Sequence, residues 1–317
     1  MSDRLNEIDK LEVITLQDNF IDLVPQDNTD VVSRAMAVKE KEMKNTILAE
    51  HGFSSIVIAT RRGKARSILF DFGFSSFGAA FNADSLNVDL TSIEACALSH
   101  GHMDHFGGLA ELIKKTGKLG LELVVHPEVF RESRFIKTAE GLKIKLPAFT
   151  RKMVKQAECE LVETENPYPL LNGDILFLGS IPRITDFEKG ASNLFYHLNG
   201  KEKWDDIPDD TAIASNVKGR GLVVISGCAH SGIINTIKHA RQVCSVQKIF
   251  AVMGGFHLGG AAMEAAVEPT VEELKEIDPT YIIPTHCTGR TVIMKIEKEM
   301  PKKFILNMSG TKLTFAA

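Results

Sequence analysis

The segment Ser99-His100-Gly101-His102-Met103-Asp104-His105 constrains this chain more than any other. Three of the ten histidines fall within six residues, together with a carboxylate. The segment lies between a β-rich run, Ala95–Ser99, and a helical run from Phe106 onward. Side chains alternate along extended backbone, so His100 and His102 point to the same side of the turn. Asp104 and His105 follow in the first helical turn, displaced toward a neighbouring position. The spacing predicts two imidazoles for one metal and an Asp–His pair for a second. Such nitrogen and oxygen donors suit zinc, and also manganese or iron. A helix start alone is a poor place for a cation, but it helps keep His105 neutral while Asp104 compensates charge. A solitary HxH would read as surface or capping histidines; the full spacing on a strand-to-helix turn reads as a binuclear centre.

Further ligands are expected at other strand ends. Leu222–Ser226 runs into Gly227-Cys228-Ala229-His230, and Lys248–Met253 into Gly254-Gly255-Phe256-His257. Tyr281–Pro284 runs into Thr285-His286-Cys287, and Ser67–Phe70 ends at Asp71. Open α/β sheets build their sites at such ends, and glycine lets backbone approach a ligand closely. His230 and His286 are therefore candidate ligands, and His257 a candidate general acid or substrate contact. Cys228 and Cys287 read equally well as small buried side chains or as ligands. His51, His126, His197 and His239 read as structural histidines.

Other candidate strands are Leu11–Leu16, Ser55–Thr60, Glu122–His126 and Asp174–Leu178, with helical periodicity at Leu109–Lys115, Ile233–Val243 and Val271–Ile277. Gly117 is a plausible C-cap, and Pro279 stands where the last of these helices must have stopped. The alternation implies a layered α/β domain. At 317 residues the chain suits one such domain, 1–317, with insertions near 28–50 and 131–160. The first insertion carries Lys39-Glu-Lys-Glu-Met-Lys44 on a helical pattern, and the second is basic. Both read as solvated helix faces, or as lids over a site. Asp205-Asp-Ile-Pro-Asp-Asp210 reads as a surface loop.

With 44% hydrophobic and 25% charged residues, the chain is neither disordered, collagenous nor a small disulfide scaffold. A formal charge of -4 provides no global field for nucleic acid or an anionic membrane. The charged N-terminus lacks a signal-peptide pattern, and the apolar runs are too short to span a bilayer. Five cysteines without a CxxC pair point to a reducing cytoplasm.

These motifs resemble the metallo-β-lactamase fold superfamily: HxHxDH after a strand, Asp71 upstream and the late His286. Glu50-His-Gly-Phe-Ser54, Ile181-Pro-Arg183, Gly227-Cys-Ala-His230, Gly255-Phe-His-Leu258 and His286-Cys-Thr-Gly289 are similar to one branch. That branch is labelled 7,8-dihydropterin-6-yl-methyl-4-(β-D-ribofuranosyl)aminobenzene 5′-phosphate synthase, a pterin-joining step linked to methanopterin. The resemblance implies a four-layer αββα sandwich with two divalent ions, zinc foremost, at one edge of the sheets. It assigns His100 and His102 to the first ion, Asp104 and His105 to the second, and His286 as the last ligand. One departure stands out. Gly179–Asp186 lacks the histidine many superfamily hydrolases carry, and Cys228 occupies the position where a bridging Asp is common. His230 is inferred to fill the vacant place.

The leading expectation is a two-metal enzyme acting on a small, anionic, phosphate-bearing substrate by diphosphate-releasing transfer. Asp104 would move protons, Arg183 would clamp a phosphate, and His257 would contact substrate or act as acid. The alternatives are a hydrolase of phosphodiester, lactone or amide bonds, and a regulator that binds metal and ligand without turnover. Iron redox chemistry ranks behind these, because oxygen-reducing relatives usually place Glu where this chain has His102.

Overall fold

The computed structural model describes residues 5–24, 27–36, 38–39, 41–43 and 45–317. Long runs of Val, Ile, Leu and Phe, such as Leu222–Ile225 and Ile68–Phe70, are buried throughout. Continuous apolar runs of this kind fit strands covered on both faces. Among the described residues they form two large mixed sheets. The first runs Glu160–Glu163, Glu122–Val125, Ile93–Ala97, Lys64–Phe72, Ser54–Arg61, Lys10–Gln17, Lys312–Ala316, Val32–Ser33. The second runs Tyr168–Leu170, Ile175–Phe177, Ala212–Val217, Gly221–Ser226, Ile249–Gly255, Tyr281–Thr285, with Glu7–Ile8 paired to Ala212–Val217.

The sheets meet face to face through Leu11, Val57, Phe70, Phe177, Ile213, Val223, Ile225 and Ile283, all nearly inaccessible to water. Helices Gly78–Ser85, Leu109–Thr116 and Arg151–Gln156 cover the outer face of the first sheet. Helices Ile233–Cys244, Glu264–Ile277 and Arg290–Glu299 cover the second. The result is the expected α/β sandwich. Leu109, Leu112, Ile113 and Thr116 recur at helical spacing and are buried, each apolar side chain contributing about 1.5–3 kcal/mol. That helix ends at Gly117, whose φ of 66° lies in the left-handed region. The helix ending before Pro279 begins earlier than its sequence pattern, at Glu264, and accommodates Pro269 within its early turns.

Five strands carry the site: β1 (Lys64–Phe72), β2 (Ile93–Ala97), β3 (Gly221–Ser226), β4 (Ile249–Gly255) and β5 (Tyr281–Thr285). β1 and β2 are parallel, as are β3, β4 and β5. Parallel pairing gathers their C-terminal ends, and hence every motif loop, at common sheet edges.

Both insertions differ from their helical reading. Val32–Ser33 joins the first sheet, and Val38–Lys39 pairs with Glu42–Met43 as a small hairpin turning at Lys41. Positions 37, 40 and 44 of the expected helix lie outside the described residues. In the second insertion, Arg134–Lys137 and Lys143–Lys145 join Leu194–Leu198 and Lys201–Trp204 in a four-stranded antiparallel sheet. Helix is confined there to Arg151–Gln156, capped by Thr150.

The acidic stretch is not a surface loop either: Asp205, Asp209 and Asp210 are buried. Arg134 is 3% exposed; its Nε donates to Asp205 Oδ2 at 2.9 Å, and its guanidinium also grips Asp209. Arg131 Nη1 reaches Asp205 Oδ1 at 2.6 Å. Charge runs look solvated until a fold supplies partners; here basic and acidic segments neutralise each other inside the protein. Removing one partner leaves the other charge buried and uncompensated. Arg134→Met should therefore lower the unfolding free energy by about 3–5 kcal/mol in denaturant titrations, whereas Lys155→Met should change it by less than about 0.5 kcal/mol.

Candidate metal centre

Asp71, near the end of β1, connects the first sheet to the histidine motif. Its Oδ1 accepts from the Ser99 backbone N–H at 2.7 Å, and its Oδ2 from Ser99 Oγ at 2.7 Å. The same Oδ2 lies 2.7 Å from His105 Nδ1. The carboxylate fixes the Nδ1–H tautomer of His105 and turns its Nε2 inward. That Nε2 lies 3.1 Å from Cys228 Sγ, at the loop following β3. The approach requires Gly227, since a Cβ there would stand 2.0 Å from Ser99 Oγ.

His286, following β5, is oriented in the same way. Its Nδ1 lies 3.0 Å from Asn19 Oδ1, and its Nε2 lies 3.1 Å from Asp104 Oδ2. Asp18 Oδ1 accepts from the His286 backbone N–H at 2.9 Å. Asp104 Oδ2 also lies 3.7 Å from His105 Nε2 and 3.5 Å from His51 Nε2, whose side chain faces solvent.

On the other side, His100 Nδ1 lies 3.0 Å from Ser99 Oγ, and its Nε2 lies 3.1 Å from His102 Nδ1. The His230 ring sits 4.8 Å from each of these two rings, centre to centre. Gly101 presents its N–H to Asp209 Oδ2 at 2.8 Å, so the buried ionic network reaches the motif itself.

The electrostatics keep three of these imidazoles neutral. Burial first, then neighbouring imidazoles, pushes His100 and His230 well below the usual histidine range. Burial and Arg134 bring His102 down to about 3. A neutral imidazole is the form that binds a metal. Burial opposes charge on His105 as well, but Asp71 and Asp104 outweigh it and raise the group to about 9. Asp104 loses stabilisation by burial, yet His105 and His286 hold its carboxyl far below the ordinary value.

Two groups of donor atoms converge, each within a 4.8 Å span: Asp104, His105, Cys228 and His286, and His100, Cys228 and His230. Cys228 belongs to both. Both ring nitrogens of His230 are buried without a hydrogen-bond partner, which a buried polar group rarely tolerates. A divalent ion fits this donor set. His102 stands beside His100, outside both donor groups but adjacent to the second of them.

Arg183 Nη2 donates to the Asp206 carbonyl and to the His230 carbonyl, the latter at 3.2 Å. His257 lies beside His230, ring centres 4.0 Å apart. The structural reading holds for His126, bonded to Ser180 Oγ, and for His239, bonded to the Leu178 carbonyl. His51, read in the same way, lies against Asp104. Asn19 was not anticipated, because nothing local in its sequence signals a distant histidine. Asp71 was visible as a polar residue ending a strand.

The orienting carboxylate gives a direct prediction. Asp71→Asn should retain the fold by circular dichroism but weaken divalent-metal affinity by about 10–100-fold in competition titrations with a chelating dye.

A family profile described as "Metallo-beta-lactamase superfamily" matches residues 51–241. A curated relative from Methanocaldococcus jannaschii, named 7,8-dihydropterin-6-methyl-4-(beta-D-ribofuranosyl)-aminobenzene-5'-phosphate synthase, is 32% identical over 76% of this chain and 82% of its own. A second protein from that organism, the uncharacterized MJ0448, is 30% identical over 79% of this chain and 88% of its own. Among solved structures, Tm1679, described as a metal-dependent hydrolase of the beta-lactamase superfamily, matches with a TM-score of 0.73 at 23% identity. It covers 97% of this chain and 100% of that one. Sandwich, motif loops and relatives agree: the chain belongs to the metallo-β-lactamase superfamily.

Proposed function

We propose that this protein is a binuclear metal-dependent enzyme that joins a pterin to an aminobenzene ribofuranosyl 5′-phosphate partner, releasing diphosphate. The observation that carries the two-metal reading is the position of Cys228, whose thiol belongs to both donor groups. In this reading His100, His102, His230 and Cys228 hold one ion, and Asp104, His105, His286 and Cys228 hold the other. The similarity to the named synthase supports the substrate class. Divalent ions held there, zinc best suited to mixed nitrogen, oxygen and sulfur donors, would supply Lewis acidity toward phosphate oxygens.

The chain's own residues do the rest. Asp71 and Asn19 fix the rings of His105 and His286, so these donors need not reorganise during turnover. Asp104 Oδ2 faces His51 Nε2 at 3.5 Å, which gives a proton at Asp104 an exit toward solvent. Arg183 braces the His230 loop through its carbonyl, and we assign it this positioning role in place of a direct phosphate clamp. His257 stands against two thiols, which favours a donor role over that of general acid. The five free cysteines support a reducing, cytoplasmic setting.

Product analysis on purified, metal-loaded protein tests the reading. Diphosphate release is expected only when both the pterin and the aminobenzene partner are present. Turnover of a phosphodiester, lactone or amide without pterin would replace synthesis by hydrolysis. His102→Ala and Asp104→Ala should each lower turnover by about a thousandfold or more, roughly 4 kcal/mol of barrier, with the fold intact. Near-normal activity in either variant would remove the metals from the chemistry.

A further inference from the structure

A third donor group adjoins the other two at Cys228. Cys228, His257 and Cys287 bring one sulfur, one nitrogen and one sulfur within a 4.8 Å span. The two thiols are 3.1 Å apart, and neither forms a disulfide. His257 Nδ1 is buried without a hydrogen-bond partner, the same deficit that marks His230. His257 also holds a φ of 44°, a left-handed conformation that a non-glycine residue adopts at a cost.

The three loops are fixed relative to one another. The Gly255 N–H donates to the Gly227 carbonyl at 2.9 Å, joining the ends of β4 and β3. The Phe256 N–H donates to Thr288 Oγ1 at 3.0 Å, joining the loops after β4 and β5. At Gly255 a Cβ would stand 2.5 Å from Cys287 Sγ, so the absent side chain makes room for the thiol. Two thiolates on one tetrahedral ion stand about 3.8 Å apart, so this pair opens by roughly 0.7 Å to admit one.

We infer that Cys228, His257 and Cys287 form a third metal site, selective for a thiophilic divalent ion such as zinc or cobalt and sharing its first thiolate with the binuclear centre. On binding, each thiol gives up its proton to solvent, and the ion receives sulfur and imidazole nitrogen electron pairs without any redox change. The inference rests on Cys228 being a shared donor, as in the two-metal reading.

The test uses cobalt(II) added to the full-length, metal-free protein under anaerobic, reducing conditions. Bound cobalt is counted, and the near-ultraviolet sulfur-to-cobalt absorption is recorded. The wild type should bind about three ions per chain, and Cys287→Ser about two, with the sulfur band reduced by about half. His257→Ala, which leaves both thiols in place, should weaken the third ion by at least about tenfold while keeping the other two. His102→Ala should lose cobalt from the binuclear centre yet retain the part of the band that depends on Cys287. If the wild type binds a single ion and Cys287→Ser abolishes it, the third site stands and the two-metal reading falls. Equal stoichiometry and identical spectra in wild type, Cys287→Ser and His257→Ala would overturn the inference. A wild-type mass lower by two hydrogens, the mark of a Cys228–Cys287 disulfide under these conditions, would also overturn it.

Discussion

The Asp71 carboxylate is the contact on which the centre depends. It is fully buried, and a buried carboxylate is costly unless its oxygens are hydrogen-bonded. Here three donors meet it, two from Ser99 and one from His105. The arrangement joins the end of one strand to the next strand's histidine loop and leaves the His105 Nε2 facing the thiol of Cys228. Gly227 completes the joint, because a side chain at that position would strike both Ser99 and Asp71. The first sheet thus aims a ring, and the second sheet brings the sulfur to meet it.

A second tier of buried charge supports this joint. Asp209 accepts from the Gly101 N–H and from Arg134, so the four-stranded antiparallel sheet is fastened to the turn between His100 and His102. A buried ion pair is a weak source of net stability, since desolvation offsets most of the attraction. Its value here is positional. The network ties this small sheet to the motif and fixes the wall beside the site. Arg183 does the same for the His230 loop through two main-chain carbonyls.

The sandwich was legible because strands buried on both faces appear as unbroken apolar runs. The ligand-bearing loops were legible because each begins where such a run gives way to polar residues with a glycine close by. His100, Asp104, His105, His230 and His286 could therefore be read from the chain and are brought together in the structure. Asn19 could not, since its contact to His286 joins residues 267 apart with no motif to signal it; His51 lies in a recognisable motif, but nothing there signals its contact to Asp104. Arg134 and Asp209 were misread for a different reason. Isolated charge runs carry no record of their partners, and only the antiparallel pairing of Arg134–Lys137 with Leu194–Leu198 brings the two segments into register. Cys228 was ambiguous because a small buried thiol and a metal-bridging thiolate occupy the same kind of position in sequence.

The coordination of the Cys228 sulfur decides between the two. Diffraction from zinc-loaded crystals, recorded on both sides of the zinc absorption edge, measures it directly. Anomalous peaks are expected around Cys228, with the ions of the binuclear centre and of the third site all sharing its Sγ at about 2.3 Å each. A single ion held by His100, His102 and His230 with the Cys228 sulfur turned away would contradict that arrangement.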